Sequence, residues 1–179
     1  MFFWIVLIVI WLPFMIFYPV KVVGKENLPK KQKGQGVICS CNHYTMKDPI
    51  MMAIKLNRKI QFLSKKELFN NKLVGAFLKG LGSYPVDREN PDRKAVMFSL
   101  NVLKQGKTLG IFPEGTRNKN FETNASIDEV KSGAITFAAK TDSFIVPMAY
   151  TAPIKCCRRT TLVIGKPFKV VCEIEGRPN

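Results

Sequence analysis

From residue 36 onward, short apolar runs alternate with stretches of helical period. Residues 36–41 (Gly-Val-Ile-Cys-Ser-Cys) are a compact apolar run, the pattern of a strand buried on both faces. The run stops at Asn42 and His43. Asp48 and Pro49 then read as a helix start, with Asp48 at the cap, Pro49 at the first helical position and the helix continuing over 50–56. Residues 60–64 predict a second strand. Residues 68–81 predict a second helix, with Leu73, Phe77 and Leu81 spaced by four. A short strand and turn over 82–88 precedes an amphipathic helix over 92–104. A strand over 108–112 then ends at Pro113, and a helix over 132–140 leads to a strand over 144–150. Runs at 160–164 and 168–172 finish the sheet. This alternation predicts an α/β fold, a largely parallel mixed sheet flanked by helices. The polar motifs fall just after strands, where open α/β sheets bind ligands.

Residues 2–20 carry no charge. As a helix they cover about 28 Å, close to the hydrocarbon thickness of a bilayer. A signal peptide needs a basic start and a small-residue cleavage site, and this segment has neither. Pro13 would kink or break a helix, so two geometries stay open: a span, or oblique entry into one leaflet. Lys21, Lys25, Lys30, Lys31 and Lys33 follow at once, which by the positive-inside rule places the remainder on the cytoplasmic face of the cell membrane. The expected organisation is a membrane-anchoring helix over 1–20, a basic linker over 21–35 and one folded domain over 36–179.

Charge narrows the partners. The 28 basic and 13 acidic residues leave a net +15, which favours nucleic acid, anionic lipid or a phosphorylated substrate. The chain carries no helix-turn-helix, RRM or zinc signature, and its apolar start argues for lipid over nucleic acid. The five cysteines show no CxxC and no zinc spacing, as expected of free thiols in a reducing compartment. Cys39 and Cys41 share one face of a strand and read as packing. No cluster calls for a metal.

His43 is the only histidine, so an imidazole general base can be no other residue. Asp48 lies five positions on. On one continuous helix the two side chains would point to different faces, so a pairing requires a turn between them. A strand–loop–helix start supplies that turn. One carboxylate oxygen of Asp48 is then free to cap the helix while the other takes the His43 Nδ1–H. Such a bond fixes the tautomer and leaves Nε2 free to take a proton from an alcohol. Alone, the H-x4-D spacing is a weak signal, and a structural histidine beside a capping aspartate is the plainer reading.

Asn42-His43-Tyr44-Thr45-Met46-Lys47-Asp48 resembles the NHxSxxD block of the glycerolipid acyltransferases, with Thr45 where serine is frequent. Phe112-Pro113-Glu114-Gly115-Thr116-Arg117 matches their FPEGTR block at every letter, followed by Asn118 where serine is common. Gly82-Ser83-Tyr84-Pro85-Val86-Asp87-Arg88 resembles the block ending in Asp-Arg, and Val146-Pro147 the proline-containing fourth block, preceded by Lys131-Ser132-Gly133-Ala134. Four blocks in the family's order span residues 42–147 and are most similar to those of the 1-acyl-glycerol-3-phosphate acyltransferases.

The resemblance implies direct transfer of a fatty acyl group from acyl-CoA or acyl-carrier protein to the sn-2 hydroxyl of lysophosphatidic acid, giving phosphatidic acid. His43 and Asp48 are the implied catalytic pair. Arg88 and Arg117 are the implied phosphate ligands, their guanidinium forks matching phosphate oxygens. Glu114, Gly115 and Thr116 complete the implied glycerol-phosphate site. No cofactor and no metal are implied; anionic membrane lipids are expected partners and nucleic acid is not. The alternatives are another lysophospholipid or glycerol-3-phosphate as acceptor, a covalent route through Cys39 or Cys41, and a non-catalytic membrane lipid-binding protein.

Overall fold

The computed structural model describes residues 14–30, 34–87, 92–115 and 133–170. Among these, seven strands form one sheet: β1 Val20–Val23, β2 Val37–Cys41, β3 Ile60–Lys65, β4 Tyr84–Val86, β5 Thr108–Ile111, β6 Phe144–Tyr150 and β7 Thr160–Ile164. Their order is β1-β7-β6-β2-β5-β3-β4. Every neighbouring pair is parallel except β6 and β7. The helices are α1 Asp48–Leu56, α2 Lys72–Gly80, α3 Arg93–Lys104 and α4 Gly133–Thr141. The expected α/β fold is the observed one.

The continuous apolar run of β2 follows from its central place. Val37, Cys39 and Cys41 point to one face, into a core shared with Ile60, Phe62, Val146, Met148 and, from α1, Met51, Met52 and Leu56. Ile38 points to the other, where Leu109 and Ile145 meet Val102 and Leu103 of α3 and Ala134 and Ala138 of α4. Each large aliphatic side chain buried this way contributes about 1.5–3 kcal/mol. Helix α1 therefore covers one face, and α3 and α4 the other.

This division places the site. From β2 the chain crosses by α1 to β3, two positions away in the sheet. From the neighbouring β5 it returns by α4 on the opposite face to β6, beyond β2. The loops leaving β2 and β5 thus diverge from adjacent strand ends, which opens a crevice at the carboxyl edge of the sheet.

Three expectations need correction. The basic segment after residue 20 is not wholly a linker: Val20–Val23 pair in parallel with β7, Val20 against Thr160, and Val20 is buried in the core. An anchor ending at residue 20 therefore overlaps the sheet. The helix expected over 68–81 is split, because Asn71 accepts from the backbone N–H groups of Leu73 and Val74 (3.0 and 3.2 Å) and starts α2 afresh. Before it, Lys66–Phe69 forms a 3-10 turn. The strand expected over 168–172 is a single antiparallel bridge, Phe168 to Ile145, with residues 171 and 172 outside the described part. The β6–β7 ladder pairs Met148 with Ile164, so one extra residue intervenes on the later segment. Pro147, which has no N–H to donate, lies at that interruption. The membrane-anchoring helix expected over 1–20 falls mostly outside the described residues, and among the described residues no helix is long and apolar enough to cross a membrane. Residues 14–17 are helical and residues 1–13 lie outside the described part.

Gly24 ends β1 in the left-handed region, φ +79°. A Cβ there would stand 2.2 Å from the backbone oxygen of Ile164, which already accepts from Asn27 Nδ2 at 2.9 Å. Replacing Gly24 with alanine combines a backbone penalty with a clash against main chain, and is expected to lower stability by about 2–4 kcal/mol, read as a lower urea midpoint.

Candidate active site

Asn42 extends β2 by one residue in all but name. Its side-chain amide donates to the Tyr150 carbonyl (3.0 Å) and accepts the Tyr150 N–H (2.8 Å), completing the β2–β6 ladder with side-chain atoms. The chain turns there. Tyr150 also donates its hydroxyl to the Asp48 carbonyl (3.0 Å), tying the start of α1 to the end of β6.

Between these ties, Asp48 organises the loop. Its side chain is fully buried, whereas that of His43 is 14% exposed. Oδ2 faces His43 Nδ1 at 3.0 Å and accepts the backbone N–H groups of Tyr44 and Thr45, both at 2.7 Å. Oδ1 accepts the Thr45 hydroxyl at 2.6 Å. All four donors precede Asp48. The expected helix cap is therefore absent: Asp48 is the first residue of α1, Lys47 holds the cap position without a side-chain bond, and the carboxylate reaches backwards. The physical reason is burial, since a carboxylate cut off from water needs every lone pair matched, and the loop supplies more donors than a helix start. With Nδ1 donating to Asp48, the neutral imidazole presents Nε2 as its acceptor.

The second loop closes over the ring. Phe112, directly after β5, stacks on His43 with centroids 4.1 Å apart and planes 21° from parallel. Gly115, at φ +70°, returns its N–H to the Phe112 carbonyl at 2.9 Å, a tight turn that requires the left-handed conformation. Glu114 lies inside this turn. Burial raises its carboxyl above the usual carboxylate range; a hydrogen bond from the His43 backbone N–H and the His43 ring oppose the rise, and the Asp48 charge adds to it. Its Oε2 is buried with no hydrogen-bond partner among the described residues.

The structure thus brings His43, Asp48, Glu114 and Gly115 to one crevice, while Arg88, Thr116 and Arg117 lie outside the described residues. Asp87, the residue before Arg88, is paired with Lys66 at 2.8 Å. Cys39 and Cys41 are buried in the core; burial pushes the Cys39 thiol up to about 12 and that of Cys41 higher still. Neither suits a nucleophile, and packing is their observed role. Sequence reasoning missed Phe112 as a neighbour of the ring and Asn42 as the strand extension, although both stand inside the quoted blocks.

The sequence model of the acyltransferase family matches residues 19–151. The chain belongs to that family. It is 38% identical to the 1-acyl-sn-glycerol-3-phosphate acyltransferase of Bacillus subtilis over 155 residues, 83% of this chain and 73% of that protein. The Streptococcus pneumoniae protein of the same name is also 38% identical, over 72% of this chain and 46% of its own length. A chloroplastic 1-acyl-sn-glycerol-3-phosphate acyltransferase of Arabidopsis thaliana is 31% identical, over 74% of this chain and 36% of its own. The crystal structure of the 1-acyl-sn-glycerophosphate acyltransferase PlsC from Thermotoga maritima shares the fold, with a TM-score of 0.64 and 23% identity, over 86% of this chain and 62% of that one. The acyltransferase described here therefore spans from about a third to three quarters of the length of these proteins.

The Glu114 shift has a consequence for stability. Because its folded pKa is raised, the folded acyltransferase keeps this proton to higher pH than the unfolded chain does. The carboxyl's favourable contribution is full below about pH 4 and declines as pH climbs toward the folded pKa. Glu114→Gln removes that decline. Urea midpoints across pH should show the variant gaining on the parent from about pH 4 upward, with the two curves parallel at lower pH.

Proposed function

We propose that this acyltransferase moves a fatty acyl group from acyl-CoA or acyl-carrier protein to the sn-2 hydroxyl of lysophosphatidic acid, giving phosphatidic acid. The observation that carries the reading is the His43 Nδ1–Asp48 Oδ2 bond of 3.0 Å to a fully buried carboxylate. The acceptor is taken from the names of the relatives, which are 30–38% identical. His43 Nε2 takes the hydroxyl proton as the oxygen attacks the thioester carbonyl. The tetrahedral oxyanion then collapses, the C–S bond breaks, and the thiolate leaves with the proton held on His43. No acyl-enzyme forms and no cofactor or metal takes part. Arg88 and Arg117 bind the phosphate, and Glu114, Gly115 and Thr116 bind the glycerol phosphate, as the family blocks imply.

The same reading places the crevice against a bilayer. Strand β1 runs opposite to β6, so Val20 begins at the sheet edge where the catalytic loops lie. Ile16 and Phe17, just before it, are exposed; so is Met46 within the His43–Asp48 loop, and Leu73, at the start of α2, is 83% exposed. Contacts fasten this edge: Lys47 Nζ lies 5.1 Å over the Tyr18 ring, and Cys157 donates its N–H to the Phe17 carbonyl at 2.7 Å. An apolar rim with neighbouring lysines suits anionic lipid, and a lysolipid tail enters a pocket at low cost only where that pocket opens beside lipid. The uncharged residues 2–13 extend the rim into an anchor at the cytoplasmic face of the cell membrane.

Two experiments test these readings. His43→Ala should lower transfer on the order of 10²–10⁴-fold in a folded protein, and Asp48→Asn should lower it nearly as far, because an amide no longer selects the Nδ1–H tautomer. Substantial activity in His43→Ala would remove the base. Run against lysophosphatidic acid, other lysolipids and glycerol-3-phosphate, the parent assay fixes the acceptor. Deleting residues 2–13, which leaves β1 intact, should release protein from anionic vesicles in flotation. It should cut transfer to bilayer-embedded lysolipid while sparing a short-chain, monomeric one. Equal losses on both acceptors would contradict docking.

A further inference from the structure

The Asp48 bond holds one atom of the His43 ring and leaves its tilt to other contacts. Phe112 covers one face of the ring. Phe112 is itself backed by Phe62 of β3, with centroids 5.7 Å apart and planes only 10° from parallel. The three rings form a column running from the sheet interior to the general base.

The column depends on a gap. Gly110 of β5 is in register with Cys39 on one side and Phe62 on the other. A Cβ on Gly110 would stand 2.1 Å from Phe62 Cε1 and 2.5 Å from Cδ1. Unlike Gly115, Gly110 is not among the residues of positive φ, so its backbone does not call for glycine. What calls for it is the ring lying across β5. Phe62 is 8% exposed and has little room to lie elsewhere.

We propose that Gly110 and Phe62 are positioning residues for the general base, bracing the His43 imidazole through Phe112. The inference rests on the reading of His43 as that base and adds residues outside the four family-like blocks of the sequence. A ring free to tilt turns its Nε2 lone pair off the line to the acceptor hydroxyl, and misplacement of that kind costs rate rather than affinity.

His43 being the only histidine, its ring protons give a single, self-assigned pair of NMR signals. Stacking on Phe112 shifts them upfield. Phe62→Leu keeps apolar bulk and removes the flat backing. It should move these signals toward their unstacked positions and lower kcat on the order of tenfold, with KM for both substrates within about twofold. Gly110→Ala, which displaces the Phe62 ring, should do the same. The double variant should be no slower than the slower single variant, because both remove one brace. If Phe62→Leu does not fold, Phe62→Met, a flexible filler, carries the same test. Unmoved ring signals would overturn the proposal, as would losses that multiply in the double variant, or a rise in KM with kcat intact, which would make Phe62 a pocket wall. The ring signals report the brace whatever the activity, so a failure of the brace is distinct from a failure of His43 as base, which His43→Ala reads.

Discussion

A carboxylate without access to water must match its lone pairs with donors, and Asp48 finds four of them within the five residues before it. Removing such an ion from water costs several kcal/mol, and only short, charge-assisted bonds offset it. The loop from His43 to Asp48 has the shape that satisfies this demand. Two backbone N–H groups and the Thr45 hydroxyl bend the chain around the carboxylate, and the remaining direction on Oδ2 is taken by His43 Nδ1. The orientation of the imidazole is thus a by-product of charge burial. This also explains why threonine serves at position 45 where the family frequently has serine: the hydroxyl is what bonds to Oδ1.

The sheet supplies the frame in which that loop can be rigid. β2 lies between β6 and β5, so its end is fixed on both sides, by Asn42 to Tyr150 and by the register of Ser40 with Ile111. The crossovers from β2 and β5 go to opposite faces, and the two loops face each other across the crevice they leave. One brings His43 and Asp48, the other Phe112 and Glu114. Glu114 is drawn in by the His43 backbone N–H, and its second oxygen is buried without a partner among the described residues.

Much of this was legible in the residues. Strand and helix order followed from apolar runs and period; a His43–Asp48 pair was compatible with the strand–loop–helix start, and the family resemblance singled it out. What escaped had physical causes. Val20–Val23 reads as the end of an apolar anchor and the start of a basic linker because an edge strand of four residues leaves too short a pattern to see. The Asp48 cap was a reasonable expectation from Asp-Pro, overruled by donors that only the folded loop presents. The break before α2 turned on the side chain of Asn71, which local periodicity does not weigh. The aromatic column was invisible because its members, Phe62, Gly110 and Phe112, are joined by strand register and not by sequence spacing.

The central claim is that the buried Asp48 carboxylate fixes His43 as the Nδ1–H tautomer with Nε2 bare. Nitrogen-15 NMR of the imidazole reads this directly, since the chain contains one histidine. At a pH where the ring is neutral, two well-separated resonances are expected, a protonated Nδ1 and an unprotonated Nε2, collapsing toward the averaged positions of free imidazole in Asp48→Ala. Averaged shifts in the parent protein, or a protonated Nε2, would contradict the account.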